Sequence, residues 1–142
     1  MIIKFRKDSY VVSFGSDEGF GDEIAYINRI KERVNKFPNG QVIIEKDNLP
    51  IGQIELQIRE FAGKEIGYIN LFYLIQDYRG KGLGKDLIHY AEAFFRKSNV
   101  SEYHLRVSPD NQRAIRLYTK SGMEKVGEEV EKYLVLRMRK VL

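Results

Sequence analysis

Glycines alternate with cationic residues in one short segment, residues 78–85, which reads Tyr-Arg-Gly-Lys-Gly-Leu-Gly-Lys. It follows an apolar run and precedes residues with apolar side chains at helical spacing. Glycines let a backbone adopt left-handed conformations and approach a ligand closely. Amides at the start of a helix, with Arg79, Lys81 and Lys85 nearby, are typical of a phosphate site. A tight strand-to-helix turn without a ligand is the alternative.

Two familiar phosphate-binding loops do not fit this segment. A P-loop needs glycine five residues before its Gly-Lys pair and a hydroxyl residue after it, but the chain has Arg79 and Asp86 there. The dinucleotide pattern G-x-G-x-x-G fails because Lys85 and Leu87 occupy its two possible sixth positions. The segment therefore predicts a phosphate site of another kind.

A second segment, residues 111–123, reads Asn-Gln-Arg-Ala-Ile-Arg-Leu-Tyr-Thr-Lys-Ser-Gly-Met. Together with the pattern Arg-x-x-Gly-x-Gly formed by Arg79, Gly82 and Gly84, it resembles the motifs of the GCN5-related N-acetyltransferase (GNAT) family. The resemblance covers roughly residues 41–139. Proline often stands at Gln76 in that family, and residues 1–37, which would help build the acceptor pocket, match weakly.

The resemblance implies that the chain binds acetyl-CoA as a cosubstrate and transfers its acetyl group to an amine on a small molecule or a peptide. The pantetheine arm would lie where a buried strand ends in a bulge and splays from the next parallel strand. It would pair with backbone around Tyr73, Leu74 and Ile75, and Asn111 would hydrogen-bond to it. The pyrophosphate would bind the amides of Arg79, Gly80, Lys81, Gly82, Leu83, Gly84 and Lys85.

The catalytic residues implied for this reaction are few. Tyr118 would stand near the thioester sulfur and protonate the leaving thiolate, while the N–H of Leu74 could polarise the carbonyl. A chain without cysteine suits direct attack by the amine. A lysine-like amine is neutral about once in 2500 at pH 7, so a base is expected, and Glu55 and Glu45 are the candidates.

Each of these side chains also has a purely structural interpretation. Asn111 could only cap a helix, and Tyr118 could only fill the core. Glu55 could be a solvated strand residue. His89 and His104 stand alone in the sequence and are interpreted as surface or edge residues, so no metal site is expected.

Hydrophobic spacing predicts the elements that hold these segments. Helices are predicted from Asp22 to residue 37, over residues 82–97, and from Ser108-Pro109 to Gly122. Strands are predicted over residues 10–14, 41–46, 51–59, 66–75, 102–107, 123–130 and 133–139. This order predicts a single α/β domain over residues 1–142, with a mixed, mostly antiparallel sheet flanked by helices. The resemblance adds a splayed parallel pair.

Composition narrows the class of protein. The net charge of +4 and a pI of about 9.2 suit nucleic acid or a small anionic ligand, but the basic residues form no block. No leader or membrane-spanning run is visible, and a cytoplasmic monomer or homodimer is expected. Two alternatives to the enzyme stay open: an acetyl-CoA sensor without transfer activity and, on charge alone, a nucleic-acid-binding protein.

Overall fold

The computed structural model describes residues 1–130 and 132–142. Its helices and strands follow the order α-α-β-β-β-α-β-α-β-β. The helices are α1 Ile2–Phe14, α2 Glu23–Lys36, α3 Leu83–Lys97 and α4 Gln112–Lys120, and the strands are β1 Gln41–Lys46, β2 Leu49–Phe61, β3 Lys64–Leu74, β4 Glu102–Val107, β5 Glu124–Val130 and β6 Leu134–Val141. Within these residues, every helix is too short or too polar to traverse a bilayer.

The strands form one mixed sheet in the order β1-β2-β3-β4-β6-β5, which confirms the predicted fold class. Among the strands of the described residues, β3 and β4 alone run parallel, and they pair over just three positions, from Gly67–Tyr103 to Ile69–Leu105. Beyond Ile69 the two strands separate, although β3 continues to Leu74. A gap therefore opens at the centre of the sheet, as the sequence resemblance implied.

A β-bulge at Asn70 coincides with the start of this gap. Leu71 pairs with Glu55 and Ile69 with Leu56, so Asn70 has no partner on β2. The bulge lies inside β3 and not at its end, where it was expected. Because it adds one residue, it places Ile69 in the core under α3 and Leu71 in the opposite cluster under α1.

The prediction of a strand over residues 10–14 is wrong, because these residues form the last turns of α1. The run Tyr-Val-Val-Ser-Phe has strand propensity, but tertiary contacts decide its structure. Phe5 is buried against Tyr73, with ring centroids 4.9 Å apart, and Tyr10 packs on Phe14 one turn later. Gly15 then ends the helix in a left-handed conformation.

The predicted start of α4 at Ser108-Pro109 is also wrong. Residues 108–110 form a turn in which the Asp110 N–H donates to Ser108 Oγ at 3.2 Å. The helix begins at Gln112, and Asn111 is its cap, because Asn111 Oδ1 accepts the N–H of Ala114 at 3.3 Å.

His104 is buried in β4 with 2% of its surface exposed, so its interpretation as a surface or edge residue is wrong. Arg137 donates to its Nδ1 at 2.9 Å, and its Nε2 lies 2.7 Å from Glu102. These partners make burial of the imidazole possible. Burial lowers the pKa of His104, which favours the neutral ring. His89 is exposed, as expected.

Candidate active site

The backbone of β3 offers unpaired groups to the central gap. The N–H of Ile75 donates to Ile51 on β2 at 2.8 Å. Successive residues of a strand direct their backbone N–H and C=O groups to opposite edges of that strand. Tyr73 therefore also faces β2, whereas Phe72 and Leu74 direct their backbone groups into the gap. The predicted set of Tyr73, Leu74 and Ile75 is therefore divided. Of these, only Leu74 directs its backbone to the gap, and because its carbonyl accepts from Arg79, its N–H is the group left for a ligand.

The glycine-rich segment forms a concave loop at the start of α3. Gly80 and Gly82 have φ values of +72° and +85°, which favour glycine. Gly82 is the N-cap of α3 and supplies no side chain to cap it. The first N–H groups of α3 have no acceptor in their own helix and so remain open to an anion.

The side chain of Arg79 is engaged by two elements outside the loop. Its Nε donates to the carbonyl of Leu74 at 2.7 Å, and its Nη2 donates to Asp8 on α1 at 2.9 Å. The Tyr73 hydroxyl donates to the same carboxylate, and burial raises the pKa of Tyr73 to about 12. Arg79 thus joins β3, the loop and α1, although the sequence suggested that it adds charge to a phosphate site.

Three cations on α4, which the sequence argument missed, face the loop from across the cleft. They are Arg113, Arg116 and Lys120, and their spacing places them on one side of the helix. Arg113 comes closest to the loop, since its Cζ lies 3.9 Å from where a Cβ on Gly80 would stand. The pattern following Asn111 could have revealed this cationic face.

A cleft of about 720 Å³ brings the two sequence motifs together. It is lined by β3, the glycine-rich loop and α4, with Ser9, Val12 and Ser13 of α1 closing one side. Four predicted residues, Glu55, Ile75, Lys81 and Leu83, are not among its lining residues. Those that line it are Tyr73, Leu74, Arg79, Gly80, Gly82, Gly84, Lys85, Asn111 and Tyr118.

Asn111 and Tyr118 lie on the cleft side of α4. The oxygen of the Asn111 side chain is engaged by its own helix, which leaves the amide hydrogens to donate. The ring of Tyr118 packs against Phe72, with centroids 6.4 Å apart. Burial raises the pKa of Tyr118 to about 12, so its hydroxyl keeps its proton at neutral pH.

Sequence comparison identifies the family of a chain with this cleft. The family model described as "Acetyltransferase (GNAT) family" matches residues 5–123. The chain belongs to the GNAT family. The match extends into α1 and α2, where the sequence motifs are weak. No curated protein sequence matches the chain.

Solved structures share the GNAT fold over most of their length. A ribosomal-protein-alanine N-acetyltransferase from Brucella melitensis is 18% identical, with a TM-score of 0.78 over 99% of this chain and 92% of its own. PH1933 from Pyrococcus horikoshii OT3 is 26% identical, with a TM-score of 0.72 over 94% and 85%. The NatC complex bound to Gag peptide and CoA is 22% identical, with a TM-score of 0.73 over 82% and 79%.

A second cavity of about 400 Å³ lies on the α1 and α2 side of the GNAT sheet. It meets the first cleft at shared lining residues, and these include Phe72, Asn111 and Tyr118. The bulge residue Asn70 also lines it. Two molecules bound in the two cavities would thus meet beside the Tyr118 side chain.

Glu55, the sequence candidate for a base, is 1% exposed and does not line this second cavity. Its interpretation as a solvated residue is wrong. One carboxylate oxygen accepts from Tyr26 at 2.6 Å and from Gln53 at 3.0 Å, while the other pairs with Arg33 at 3.0 Å. Glu55 therefore anchors α2 to β2. Glu45, the other candidate, is exposed on β1.

Proposed function

We propose that this GNAT protein transfers an acetyl group from acetyl-CoA to an amine by direct attack in a ternary complex. The observation that carries the proposal is the meeting of two cavities at Tyr118, one of which ends at the anion-binding loop of α3. The NatC structure that shares the fold contains both CoA and a peptide, which supports a two-substrate site.

Residues of the first cleft would hold the donor. The open amides from Gly82 to Lys85 bind the diphosphate, and Lys85, Arg113 and Arg116 add charge. Backbone groups of Phe72 and the N–H of Leu74 bind the pantetheine arm as an added strand would, and the side-chain amide of Asn111 donates to it.

The transfer itself needs positioning and one proton. The amine lone pair attacks the thioester carbonyl carbon, and the C–S bond then breaks. A backbone N–H in the gap, from Leu74 or Phe72, stabilises the developing oxyanion. Tyr118 donates its proton to the departing thiolate, because a phenol of pKa about 12 is fully protonated before the reaction. Solvent takes the proton that the amine loses and restores the phenol.

A pair of glycine variants tests where the donor binds. Gly82 and Gly63 both have a positive φ, at +85° and +79°, and neither has an atom within 4 Å of an added Cβ. Gly82→Trp should weaken acetyl-CoA binding at least about 100-fold by calorimetry, whereas Gly63→Trp, in the β2–β3 turn, should leave it unchanged. Equal affinity of both variants would remove the donor from this loop.

Turnover distinguishes the enzyme from a sensor. CoA release is measured with amino acids, phosphorylated amines, peptides, polyamines and aminoglycosides. Release with any of them supports transfer. Tight acetyl-CoA binding without release on every amine would instead establish a binding protein of the same fold.

A further inference from the structure

The second cavity, where the acceptor would bind, is lined by cations from several elements. Arg6 comes from α1, Arg29 from α2, Arg59 from β2 and Arg106 from β4, and Lys132 follows the β5 strand. The described lining residues of the cavity include no carboxylate. The lining therefore carries an excess of positive charge.

Three arginines among these cations, Arg6, Arg29 and Arg59, form no ion pair in the described part of the chain. An aromatic ring contacts each of them. The guanidinium Cζ lies 5.2 Å from the Tyr10 ring centroid for Arg6, 5.9 Å from that of Tyr26 for Arg29, and 5.0 Å from that of Tyr68 for Arg59. Side chains held in this way lose little freedom when they bind an anion.

Arg106 differs from these three arginines, because it pairs with Glu129 at 3.0 Å. Glu55 does not line the second cavity, although it lines a smaller neighbouring cavity together with Arg6 and Arg29. Both of its oxygens are already engaged, by Tyr26, Gln53 and Arg33.

Arg6 connects the cation cluster with the reaction centre. Its Nη1 donates to the carbonyl of Asn70 at 3.1 Å, and Asn70 is the bulge residue at which β3 and β4 separate. The remaining guanidinium N–H groups stay available to a ligand. An anion bound by Arg6 would therefore lie close to the gap in which an acceptor amine must meet the thioester.

We propose that the acceptor is a small amine that carries an anionic group, a carboxylate or a phosphate, close to its nitrogen. Arg6, Arg29 and Arg59 bind that group, and the inference rests on the function proposed above. Guanidinium groups pair with both kinds of anion. A cavity of about 400 Å³ lies within the range of small-molecule sites.

The same charge acts on the amine. Neighbouring cations disfavour an ammonium ion, so the site favours the neutral nucleophile without a carboxylate base. Polycationic acceptors, such as polyamines and aminoglycosides, are repelled. The sequence pointed to Glu55 as a base because lysine-like acceptors need one, and the cations of the cavity supply part of that effect.

Matched acceptor pairs test the proposal. L-alanine is compared with L-alaninamide for the carboxylate, and O-phosphoethanolamine with ethanolamine for the phosphate. Peptide amides that begin with Ser-Glu or Ser-Gln test whether the anionic group is instead a side chain of a peptide acceptor. The anionic member of at least one pair should have a kcat/KM at least about tenfold higher. Spermidine should be a poor acceptor.

Charge variants identify the residues. Arg29→Gln and Arg59→Gln should lower the kcat/KM of the anionic acceptor at least about tenfold and leave its neutral partner unchanged. Lys31→Gln removes the same charge from α2 outside both cavities and should have no effect. Arg59→Glu should lower or reverse the preference, which a purely structural role would not do.

Binding is measured alongside turnover, so that two failures can be told apart. Calorimetry of the anionic amine with CoA already bound reports the acceptor site without chemistry. Equal binding and turnover of charged and neutral members, or equal losses on both in the arginine variants, would overturn the anionic acceptor while leaving acetyl transfer intact. Absence of acetyl-CoA binding would overturn the proposed function itself.

Discussion

Gly84 and Leu117 meet where α3 crosses α4, and a Cβ added to Gly84 would stand 2.7 Å from Cδ2 of Leu117. The third glycine of the loop is thus required by packing between two helices. Gly80 and Gly82, in contrast, are required by backbone conformation. The close contact brings the cationic face of α4 near the open amides of α3.

Gly84→Ala should destabilise the fold by about 1–3 kcal/mol, because the added methyl group overpacks the contact with Leu117. Urea unfolding measures the loss. Gly127→Ala is the control, since an added Cβ there meets no atom within 4 Å. In a Leu117→Ala background the cost of Gly84→Ala should fall, and an unchanged cost would show that the contact does not limit packing.

Tyr118→Phe should lower kcat by at least about 100-fold while leaving the Kd of acetyl-CoA within about twofold, because only the proton donor is removed. Since the pKa of Tyr118 is raised to about 12, the wild-type enzyme should show no alkaline loss of rate from this group below about pH 11. CoA release over pH 6–10 measures kcat and its pH dependence, and calorimetry measures the Kd of acetyl-CoA.

Tyr90→Phe is the matched control for this hydroxyl. It removes the hydrogen bond from Tyr90 to the carbonyl of Asn39 on the outside of α3, far from both cavities. Turnover should be unaffected. If Tyr118→Phe behaves like the control, Tyr118 is a packing residue only.

Glu55→Gln should cost about 3 kcal/mol of unfolding free energy, because it leaves the half-buried Arg33 without its counter-charge. Adding Arg33→Gln should recover part of the loss, which chemical denaturation can measure as a double-mutant cycle. The pH profile of turnover should keep its shape. A lost acidic limb in Glu55→Gln would show instead that Glu55 is the base proposed from the sequence.

Glu102 should contribute stability in a defined pH range. Hydrogen bonds from Lys64 and His104 lower the pKa of Glu102 from about 4.5 to about 2. The unfolded chain therefore binds the proton first as pH falls, so the stabilisation is present above about pH 4.5 and is lost towards pH 2. Unfolding of Glu102→Gln and wild type should differ at pH 6 and converge at pH 2, and Glu124→Gln, which is exposed, should differ at neither.

The elements from α2 onward could be predicted, apart from the first residues of α4, because their local signals agree. Apolar alternation, the buried run of β3 and the glycine stops each indicate the same elements that the sheet contains. The N-terminal helix could not be predicted in this way. Its apolar residues are spread around the helix, and Phe5 becomes buried only through contact with Leu71 and Tyr73, far along the chain.

The lining of the first cleft could be predicted in large part for the same reason, since most of its predicted residues follow one another in two short segments. The lining of the second cavity could not. Arg6, Arg29 and Arg59 are far apart in sequence and belong to three elements, so only the folded chain brings them to one cavity. Glu55 was interpreted as solvated because apolar and polar residues alternate along β2. Such alternation distinguishes the two faces of a strand but does not tell which face a helix covers.

The short parallel pairing of β3 with β4 divides the sheet into two mechanical halves. Strands β1 to β3 form one half and β4, β6 and β5 the other, and three residue pairs provide the hydrogen-bonded seam between them. A molecule bound in the gap beyond Ile69 would bridge β3 and β4 and so extend the contact between the two halves. Local unfolding of the two halves would then become coupled, and slower amide hydrogen exchange in β3 and β4 would reveal this.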